Sequence, residues 1–238
     1  MLELKNIHWK TPENEEIVKG IDLSIPEGKL TVITGPNGGG KTSLAKLIAG
    51  LYTPSAGQIL YNKEDITALS ITERARKGIA YAFQQPVRFK GLTVRDLLEL
   101  SAEDTLSEDK LCAMLSTVGL CAQEYIDRNV DGSLSGGESK RIEIATVLNR
   151  KNAKLLVFDE PEAGIDLWSF ARLTETFEHI HRQHSATMIV ISHQERIIRL
   201  ADEIIVVGGG ELKHRGTTSE MFPLIMADTL GSCPVLNK

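Results

Sequence analysis

An eight-residue stretch, Gly35–Thr42, constrains this chain more than any other part of its sequence. It reads GPNGGGKT and satisfies the pattern G-x-x-x-x-G-K-[ST]. The apolar run Leu30–Thr34 precedes it and the helix-like run SLAKLIAG follows it. Glycines allow successive backbone N–H groups to turn inward around a phosphate, and a helix N-terminus favours negative charge. The stretch therefore predicts a phosphate-binding loop between a strand and a helix.

The residue types of this loop predict how it binds a nucleoside triphosphate. Lys41 can reach the β- and γ-phosphates, and the hydroxyl of Thr42 can ligate Mg²⁺. The predicted nucleotide-binding residues of the loop and the adjoining helical turn are Gly35, Pro36, Asn37, Gly38, Gly39, Gly40, Lys41, Thr42 and Ser43.

Further apolar runs predict the rest of the core. They are continuous rather than alternating, which is typical of parallel strands buried on both faces, and helical stretches separate most of them. The runs are Ile79–Phe83, Leu155–Phe158, Met188–Ser192 and Ile204–Val207. The N-terminal part instead predicts short antiparallel strands at Leu2–Ile7, Ile17–Leu23 and Gln58–Tyr61. The pattern as a whole predicts an α/β fold.

Two carboxylates follow the run LLVFD at its end. Asp159 is suited to hold Mg²⁺, directly or through water, and Glu160 is suited to polarise an attacking water as a general base. Ligands bind beyond the carboxyl ends of strands in open parallel sheets. Together with the loop upstream, these residues predict hydrolysis of a nucleoside triphosphate.

The stretch Leu134–Glu138 reads LSGGE and resembles the signature motif of the ATP-binding-cassette (ABC) ATPases. Other residues match motifs of that family in the same order: Gln84 in AFQQP matches the Q-loop glutamine, Asp166 in EAGID the D-loop aspartate, and His193 the switch histidine. The resemblance covers the chain from about Leu2 to Leu224.

The resemblance implies a fold and a set of roles. The fold is α/β, with a RecA-like parallel-sheet core, an N-terminal antiparallel β subdomain and a small helical subdomain. Residues 1–238 would form one ABC ATPase domain, with the core in 1–90 and 150–238 and the helical subdomain at about 91–149. Glu160, His193 and Gln84 would be catalytic, and Thr42, Gln84 and Asp159 would hold Mg²⁺.

The resemblance also implies an ATP-dependent homodimer. Ser135, Gly136, Gly137 and Asp166 would complete the binding of ATP, because Ser135 and Gly137 of one copy would face the γ-phosphate held by Lys41 of the other. The implied cofactors are ATP and Mg²⁺.

The stretch after LSGGE separates two candidate partners. SKRIEI resembles the K-K-R-x-E-I stretch of the SufC ATPases of iron–sulfur cluster assembly, as does the segment ALSITERARKGIAYAFQQPVRFKGLTV. This implies a soluble SufB/SufD-like scaffold protein as partner. Leu134 and Pro161 depart from that pattern and allow the alternative, a nucleotide-binding subunit of an ABC transporter with a membrane permease as partner.

Two further positions carry predictions. Thr11 stands where many ABC ATPases stack adenine on an aromatic residue. Trp9, two residues earlier, is either the stacking residue or part of the strand packing, and packing is the favoured interpretation. Val87 and Phe89 lie in an otherwise polar loop, where they could anchor a partner helix or pack against the helical segment.

Composition excludes several classes of function. The net charge is −5 at pH 7, which argues against nucleic acid or an anionic membrane as the main partner. No apolar run approaches the roughly 20 residues that cross a bilayer, and the N-terminus lacks a signal-peptide core. The three cysteines, Cys112, Cys121 and Cys233, form no CxxC pair and are predicted to be buried, reduced thiols. A cytoplasmic protein without direct membrane insertion is expected.

Overall fold

A computed structural model of the chain describes residues 1–183 and 186–229, so that Cys233 lies outside the described residues. The chain divides into two compact units. The first unit contains Met1–Leu69 and the residues from Ile189 onward, and the second contains Ser70–Met188.

The described residues contain strands and helices in a mixed order. The strands are β1 (Leu2–Lys10), β2 (Glu16–Ile25), β3 (Leu30–Thr34), β4 (Ala56–Tyr61), β5 (Glu64–Asp65), β6 (Ile79–Ala82), β7 (Leu155–Asp159), β8 (Thr187–Ile191), β9 (Glu203–Gly208) and β10 (Glu211–Thr217). The helices are α1 (Lys41–Ala49), α2 (Ile71–Arg76), α3 (Val94–Ala102), α4 (Glu108–Ser116), α5 (Ala122–Tyr125), α6 (Gly136–Leu148), α7 (Leu167–Arg182), α8 (Glu195–Leu200) and α9 (Thr218–Thr229).

The first unit contains an antiparallel sheet in the order β2-β1-β4-β5. Leu4 of β1 lies opposite Leu23 on one side and Ile59 on the other, and all three side chains are buried. Apolar side chains that face one side of these strands hold the sheet against the core. The predicted antiparallel N-terminal strands are therefore confirmed.

Parallel strands form the remainder of the first unit's core. β3 pairs with β9 in parallel, with Val32 opposite Ile204, and β10 pairs with β9 in the antiparallel direction. All five residues of β3 are buried, as a continuous apolar run predicts. The residues that follow β3 form a loop that leads directly into α1.

The second unit pairs β6 and β7 in parallel, with Ile79 opposite Leu155 and Ala82 opposite Phe158. The rings of Phe158 and Phe177 lie 4.7 Å apart, so that α7 packs against β7. Because β6 and β7 run in the same direction, the residues after each strand emerge at the same edge. These residues include Gln84 and Glu160. The predicted α/β class, with antiparallel and parallel strands, is confirmed.

Reciprocal capping boxes fix the starts of three helices in the second unit. Ser70 and Glu73, Thr93 and Asp96, and Ser135 and Glu138 each form a reciprocal capping box at the start of α2, α3 and α6. Each pair satisfies backbone N–H groups that the helix itself leaves unpaired. The start of α6, which carries the LSGGE stretch, is therefore defined by its own sequence.

The prediction of buried cysteines is wrong for the two that the structure describes. Cys112 and Cys121 are exposed free thiols. Cys112 lies in α4 between the buried residues Leu111 and Leu115, on a face that the helix turns away from the core. A count of cysteines does not reveal which face of a helix carries them.

Candidate functional site

The loop after β3 is shaped by glycines at positions where a side chain would clash. Gly35 has a φ of 132°, and a Cβ there would lie 2.1 Å from the carbonyl oxygen of Val207. A Cβ on Gly39 would lie 2.8 Å from the same oxygen. The loop can therefore pack closely on β9 only with glycine at both positions.

The loop ends at the start of α1, where Gly40 is the N-cap residue with a φ of 99°. No side chain among the described residues caps this helix start. The positive end of its dipole therefore lies at the loop, where it favours an anion. A helix N-terminus that follows a glycine-rich loop suits a triphosphate, so that the loop fits the predicted nucleotide.

Lys41 is almost completely buried, with 5% of its surface exposed. Its Nζ donates to the carbonyl oxygens of Gly35 at 2.8 Å and Pro36 at 2.9 Å. The carbonyl groups of the loop thus hold the Lys41 ammonium group on the concave side of the loop. Thr42 and Ser43 follow in the first turn of α1 and are partly exposed. His193, also in the first unit, is exposed, and its Nδ1 lies 3.4 Å from Oγ1 of Thr34 at the end of β3.

The second unit brings the other predicted catalytic residues together. Asp159 is completely buried, and the hydroxyl of Tyr81 donates to its Oδ2 at 2.9 Å. The Nε2 of Gln84 donates to Oε2 of Glu160 at 2.8 Å. Glu160 has a φ of 46°, in the left-handed region that non-glycine residues rarely occupy. Such backbone strain is concentrated at functional positions in proteins.

The LSGGE stretch presents small residues at a helix start. Ser135 is the N-cap of α6, and Ser135 and Gly136 are exposed. A Cβ on Gly137 would lie 2.6 Å from the carbonyl oxygen of Gly164, so that glycine is required there. Glu138 accepts from the hydroxyl of Tyr125 at 2.6 Å and from the backbone N–H of Ser135 at 2.7 Å. These hydrogen bonds lower the pKa of Glu138 to about 2.

Asp166 caps the N-terminus of α7. Its carboxylate accepts from the backbone N–H groups of Trp168 and Ser169, each at 3.0 Å, and from the Ser169 hydroxyl at 2.6 Å. The hydrogen bonds from Ser169 lower the pKa of Asp166. Arg141 of α6 also donates to the Ser169 hydroxyl, at 2.7 Å. Asp166 is thereby tied to the helix that begins at the LSGGE stretch.

The predicted residues therefore fall into two groups, one in each unit. The first unit holds the loop residues, Lys41, Thr42, Ser43 and His193, and the second holds Gln84, Asp159, Glu160, Asp166 and the residues of the LSGGE stretch. Within the described part of the chain, no group of three or more His, Cys, Asp or Glu residues forms a metal site. The residues predicted to hold Mg²⁺ are a hydroxyl, an amide and one carboxylate. Oxygen donors of this kind suit Mg²⁺ when phosphate oxygens and water complete its coordination.

Two charged residues of the second unit were not predicted as part of the site. Lys140 and Glu143 of α6 point inward, and burial lowers the pKa of Lys140 and raises that of Glu143 to about 7. Their contacts reach the backbone beside Gln84 and Asp159. The spacing of three residues places both on one helical face, but it does not tell whether that face is buried.

Thr11, at the position where the resemblance expects an aromatic residue, lies in a turn. The backbone N–H of Glu15 donates to Oγ1 of Thr11 at 3.3 Å, which closes a turn between β1 and β2. The ring of Trp9 stacks on Tyr52 with centroids 4.3 Å apart and an interplanar angle of 4°. The Trp9 ring thus packs on another aromatic side chain, as the packing interpretation expects.

Comparison with known proteins identifies the family. A family model described as ABC transporter matches residues 18–163. An uncharacterized ABC transporter ATP-binding protein of Methanocaldococcus jannaschii is 37% identical over 229 residues, which are 93% of this chain and 90% of that protein. The spermidine/putrescine import ATP-binding protein PotA of Mesoplasma florum is 31% identical over 229 residues, 93% of this chain and 63% of that protein.

A solved structure shares the fold. It is the dimeric structure of a post-hydrolysis state of an ATP-binding cassette bound to ADP and Pi, with a TM-score of 0.81 and 24% identity. The match covers 92% of this chain and 99% of that one. Among residues 1–183 and 186–229, no helix is long and apolar enough to span a membrane. The match to the family model and the identity to these relatives show that the chain belongs to the ABC ATPase family.

Proposed function

We propose that the chain binds and hydrolyses ATP and uses the cycle to move a partner protein. One observation carries this proposal: Lys41 lies within a glycine-shaped loop at a helix start that no side chain caps, an arrangement suited to bind a triphosphate. Both units belong to one ABC ATPase domain in this proposal.

The loop and its helix bind the phosphates. The backbone N–H groups of the loop and of Ser43 cradle the triphosphate, while Lys41 exchanges its two carbonyl partners for phosphate oxygens. Thr42, Gln84 and Asp159 would hold Mg²⁺. When bound, the metal ion neutralises charge that develops on the phosphate oxygens. The hydrogen bond from Tyr81 fixes the carboxylate of Asp159 for this role.

Hydrolysis requires an activated water. Glu160 accepts a proton from the attacking water as the water oxygen bonds to the γ-phosphorus, and the bond from the γ-phosphorus to the β–γ bridging oxygen breaks, so that ADP leaves. Gln84, which already donates to Glu160, orients the carboxylate and the water, and His193 donates to the γ-phosphate as its charge rises. Three residues thus share positioning, proton transfer and charge stabilisation.

The active form is a homodimer around ATP. Ser135, Gly136 and Asp166 are exposed. The resemblance of the LSGGE stretch implies that Ser135 and Gly137 face the triphosphate of a second copy, and the exposure of Ser135 leaves it accessible to that triphosphate. The dimeric state of the solved ATP-binding cassette supports this arrangement.

The binding role of Lys41 is tested by Lys41→Ala. We expect its affinity for ATP to fall at least about tenfold, because a buried ammonium that contacts phosphate is worth more than 1.4 kcal/mol. Binding is measured by isothermal titration calorimetry and hydrolysis by phosphate release, with Lys46→Ala on the same helix as control. Unchanged binding and hydrolysis in Lys41→Ala would refute the proposed function.

A groove of about 270 Å³ in the second unit is the proposed partner site. Val87 and Phe89, exposed by 41% and 40%, line it together with Leu97, Leu100 and Val130. The backbone N–H of Phe89 donates to Val130 at 2.8 Å, which holds this loop against the helical segment. An apolar groove with exposed aromatic and aliphatic side chains suits an amphipathic partner helix.

Two kinds of partner fit such a groove. A membrane permease is favoured because the relatives are described as transporter ATP-binding proteins. A soluble SufB/SufD-like scaffold protein of iron–sulfur cluster assembly is the second candidate. It is favoured by the SKRIEI stretch, whose Lys140 and Glu143 are both directed inward.

Affinity purification distinguishes the two partners. The tagged chain is purified from its native cells with and without detergent, and bound proteins are identified by mass spectrometry. A permease requires detergent, whereas a scaffold protein elutes without it. Phe89→Asp should abolish either interaction by burying a charge, while the control Leu224→Asp in the first unit should not. Binding unaffected by Phe89→Asp would place the partner elsewhere.

A further inference from the structure

Helix α6 directs two charged side chains into the second unit. The Lys140 side chain is 1% exposed and that of Glu143 is 13% exposed, with Nζ and Oε2 3.9 Å apart. Burying such a pair costs more than the ion pair returns unless further hydrogen bonds satisfy it. Apolar residues of similar size would fill the same space at lower cost. The pair therefore needs an explanation other than stability.

Lys140 binds the ends of two strands. Its Nζ donates to the carbonyl oxygens of Phe83, Gln84 and Asp159, the latter two at 3.3 Å. An ammonium group has three donors, and all three are directed at backbone oxygens. These oxygens belong to the residues that precede or carry the predicted catalytic side chains.

Glu143 binds the backbone of Phe83 as well. Its Oε1 accepts from the backbone N–H of Phe83 at 3.1 Å. Both polar groups of the Phe83 backbone are thus held by α6, the N–H by Glu143 and the carbonyl by Lys140. The Phe83 ring packs edge-on against Tyr81, with centroids 4.9 Å apart, and Tyr81 donates to Asp159.

These contacts fix the backbone next to the two residues proposed to activate the water, Gln84 and Glu160. Gln84 follows Phe83, Glu160 follows Asp159, and the two side chains are hydrogen-bonded at 2.8 Å. Just beyond the last paired residues of β6 and β7, Ala82 and Phe158, Lys140 links the two backbones through its hydrogen bonds. A shift of either strand end would change the separation of Gln84 and Glu160, and misplacements of about 1 Å are known to cost up to 10²-fold in rate.

We propose that Lys140 and Glu143 are positioning residues for hydrolysis, which hold the backbone of Phe83–Gln84 against that of Asp159–Glu160 so that Gln84 and Glu160 keep their mutual geometry. Neither residue touches the nucleotide in this proposal. The inference rests on the proposed function, because it assigns Glu160 as the base.

Lys140→Met tests the proposal, because it keeps the length of the side chain and removes its donors. We expect kcat for ATP hydrolysis to fall about 10- to 100-fold, with KM and the affinity for ADP within about threefold of the unaltered chain. Lys140→Arg should restore part of kcat, because a guanidinium can again donate to the carbonyls. Lys151→Met, which removes a half-exposed lysine of the same unit, is the matched control.

Combination with Glu160→Gln makes the test specific. If Lys140 acts through Glu160, Lys140→Met lowers the residual rate of the Glu160→Gln chain by less than about threefold. A merely structural lysine would lower both backgrounds equally, which would overturn the proposal. So would a kcat in Lys140→Met within threefold of the unaltered chain, or a loss confined to KM.

Misfolding of Lys140→Met and failure of the proposed function can each be told apart from failure of the positioning role. If Lys140→Met fails to fold, as judged by its thermal unfolding, Glu143→Ala gives the same kcat test, with Glu143→Gln as the conservative variant that keeps an acceptor for Phe83. If the unaltered chain hydrolyses no more ATP than Lys41→Ala, the proposed function itself fails.

Discussion

Glu160 is the residue proposed to accept the proton from the attacking water. Its φ of 46° and its hydrogen bond to Gln84 direct the carboxylate away from the regular course of β7. A backbone in the left-handed region costs of order 1–2 kcal/mol for a residue with a Cβ. Such strain is retained where a side chain must be held in one direction.

The role of Glu160 as base predicts the behaviour of Glu160→Gln. The amide keeps the shape and can still bind Gln84, but it cannot accept a proton. We expect turnover to fall about 10²–10³-fold while ATP and Mg²⁺ still bind. Single-turnover phosphate release and calorimetric titration measure the two properties separately. Near-normal hydrolysis by Glu160→Gln would assign the base to another residue.

At the scale of a single element, the start of α6 contributes to the stability of the fold through residues of the LSGGE stretch. Ser135 and Glu138 form its capping box, and Tyr125 adds a third hydrogen bond to the carboxylate. The folded protein lowers the pKa of Glu138 from 4.5 to about 2, so that its ionised form contributes stability above pH 4.5. That contribution is lost as the pH falls from 4.5 towards 2.

This pKa predicts a pH-dependent effect of Glu138→Gln. The glutamine keeps the capping geometry but loses the charge, so the free energy of unfolding at pH 7 should fall by about 1–2 kcal/mol. The deficit should shrink as the pH is lowered from 4.5 towards 2. Urea unfolding across that range measures it, with the exposed Glu175→Gln as control. A deficit independent of pH would contradict the assigned pKa.

Elements differ in how far the sequence predicts them. β3, β7 and β8 are continuous apolar runs that no exposed strand would carry, and the loop after β3 follows from its glycines. β10 was not predicted, because its sequence ELKHRGT alternates between exposed and half-buried residues and contains a single large aliphatic side chain. Periodicity detects a core-facing run more readily than a half-exposed edge strand.

The residues of the candidate site also differ in whether the sequence predicts them. Lys41, Glu160 and Ser135 could be predicted because each belongs to a local pattern whose chemistry requires that residue type. Tyr81 could not be predicted, because its partner Asp159 is 78 residues away in the chain. Lys140 and Glu143 resemble a solvent-exposed ion pair in the sequence, and only the packing of α6 against β6 buries them.

At the scale of the whole molecule, the proposed hydrolysis of ATP requires two copies of the chain. In the proposed dimer, one chain would supply the triphosphate loop of a site, and the exposed Ser135 and Gly136 of a second chain would complete it. We therefore expect the rate of ATP hydrolysis to rise more steeply than in proportion to protein concentration. Phosphate release over a wide dilution series measures this dependence, and strictly proportional rates would contradict a composite site.

The mass of the Glu160→Gln chain with bound ATP tests the central claim most directly. Because we expect this variant to bind ATP but to hydrolyse it about 10²–10³ times more slowly, the closed dimer should accumulate. Size-exclusion chromatography with light scattering should then give twice the 26.2 kDa of one chain with ATP and Mg²⁺, and 26.2 kDa with ADP. Lys41→Ala in the same background should remain at the mass of one chain. A 26.2 kDa species saturated with ATP would contradict the claim that two copies enclose the nucleotide.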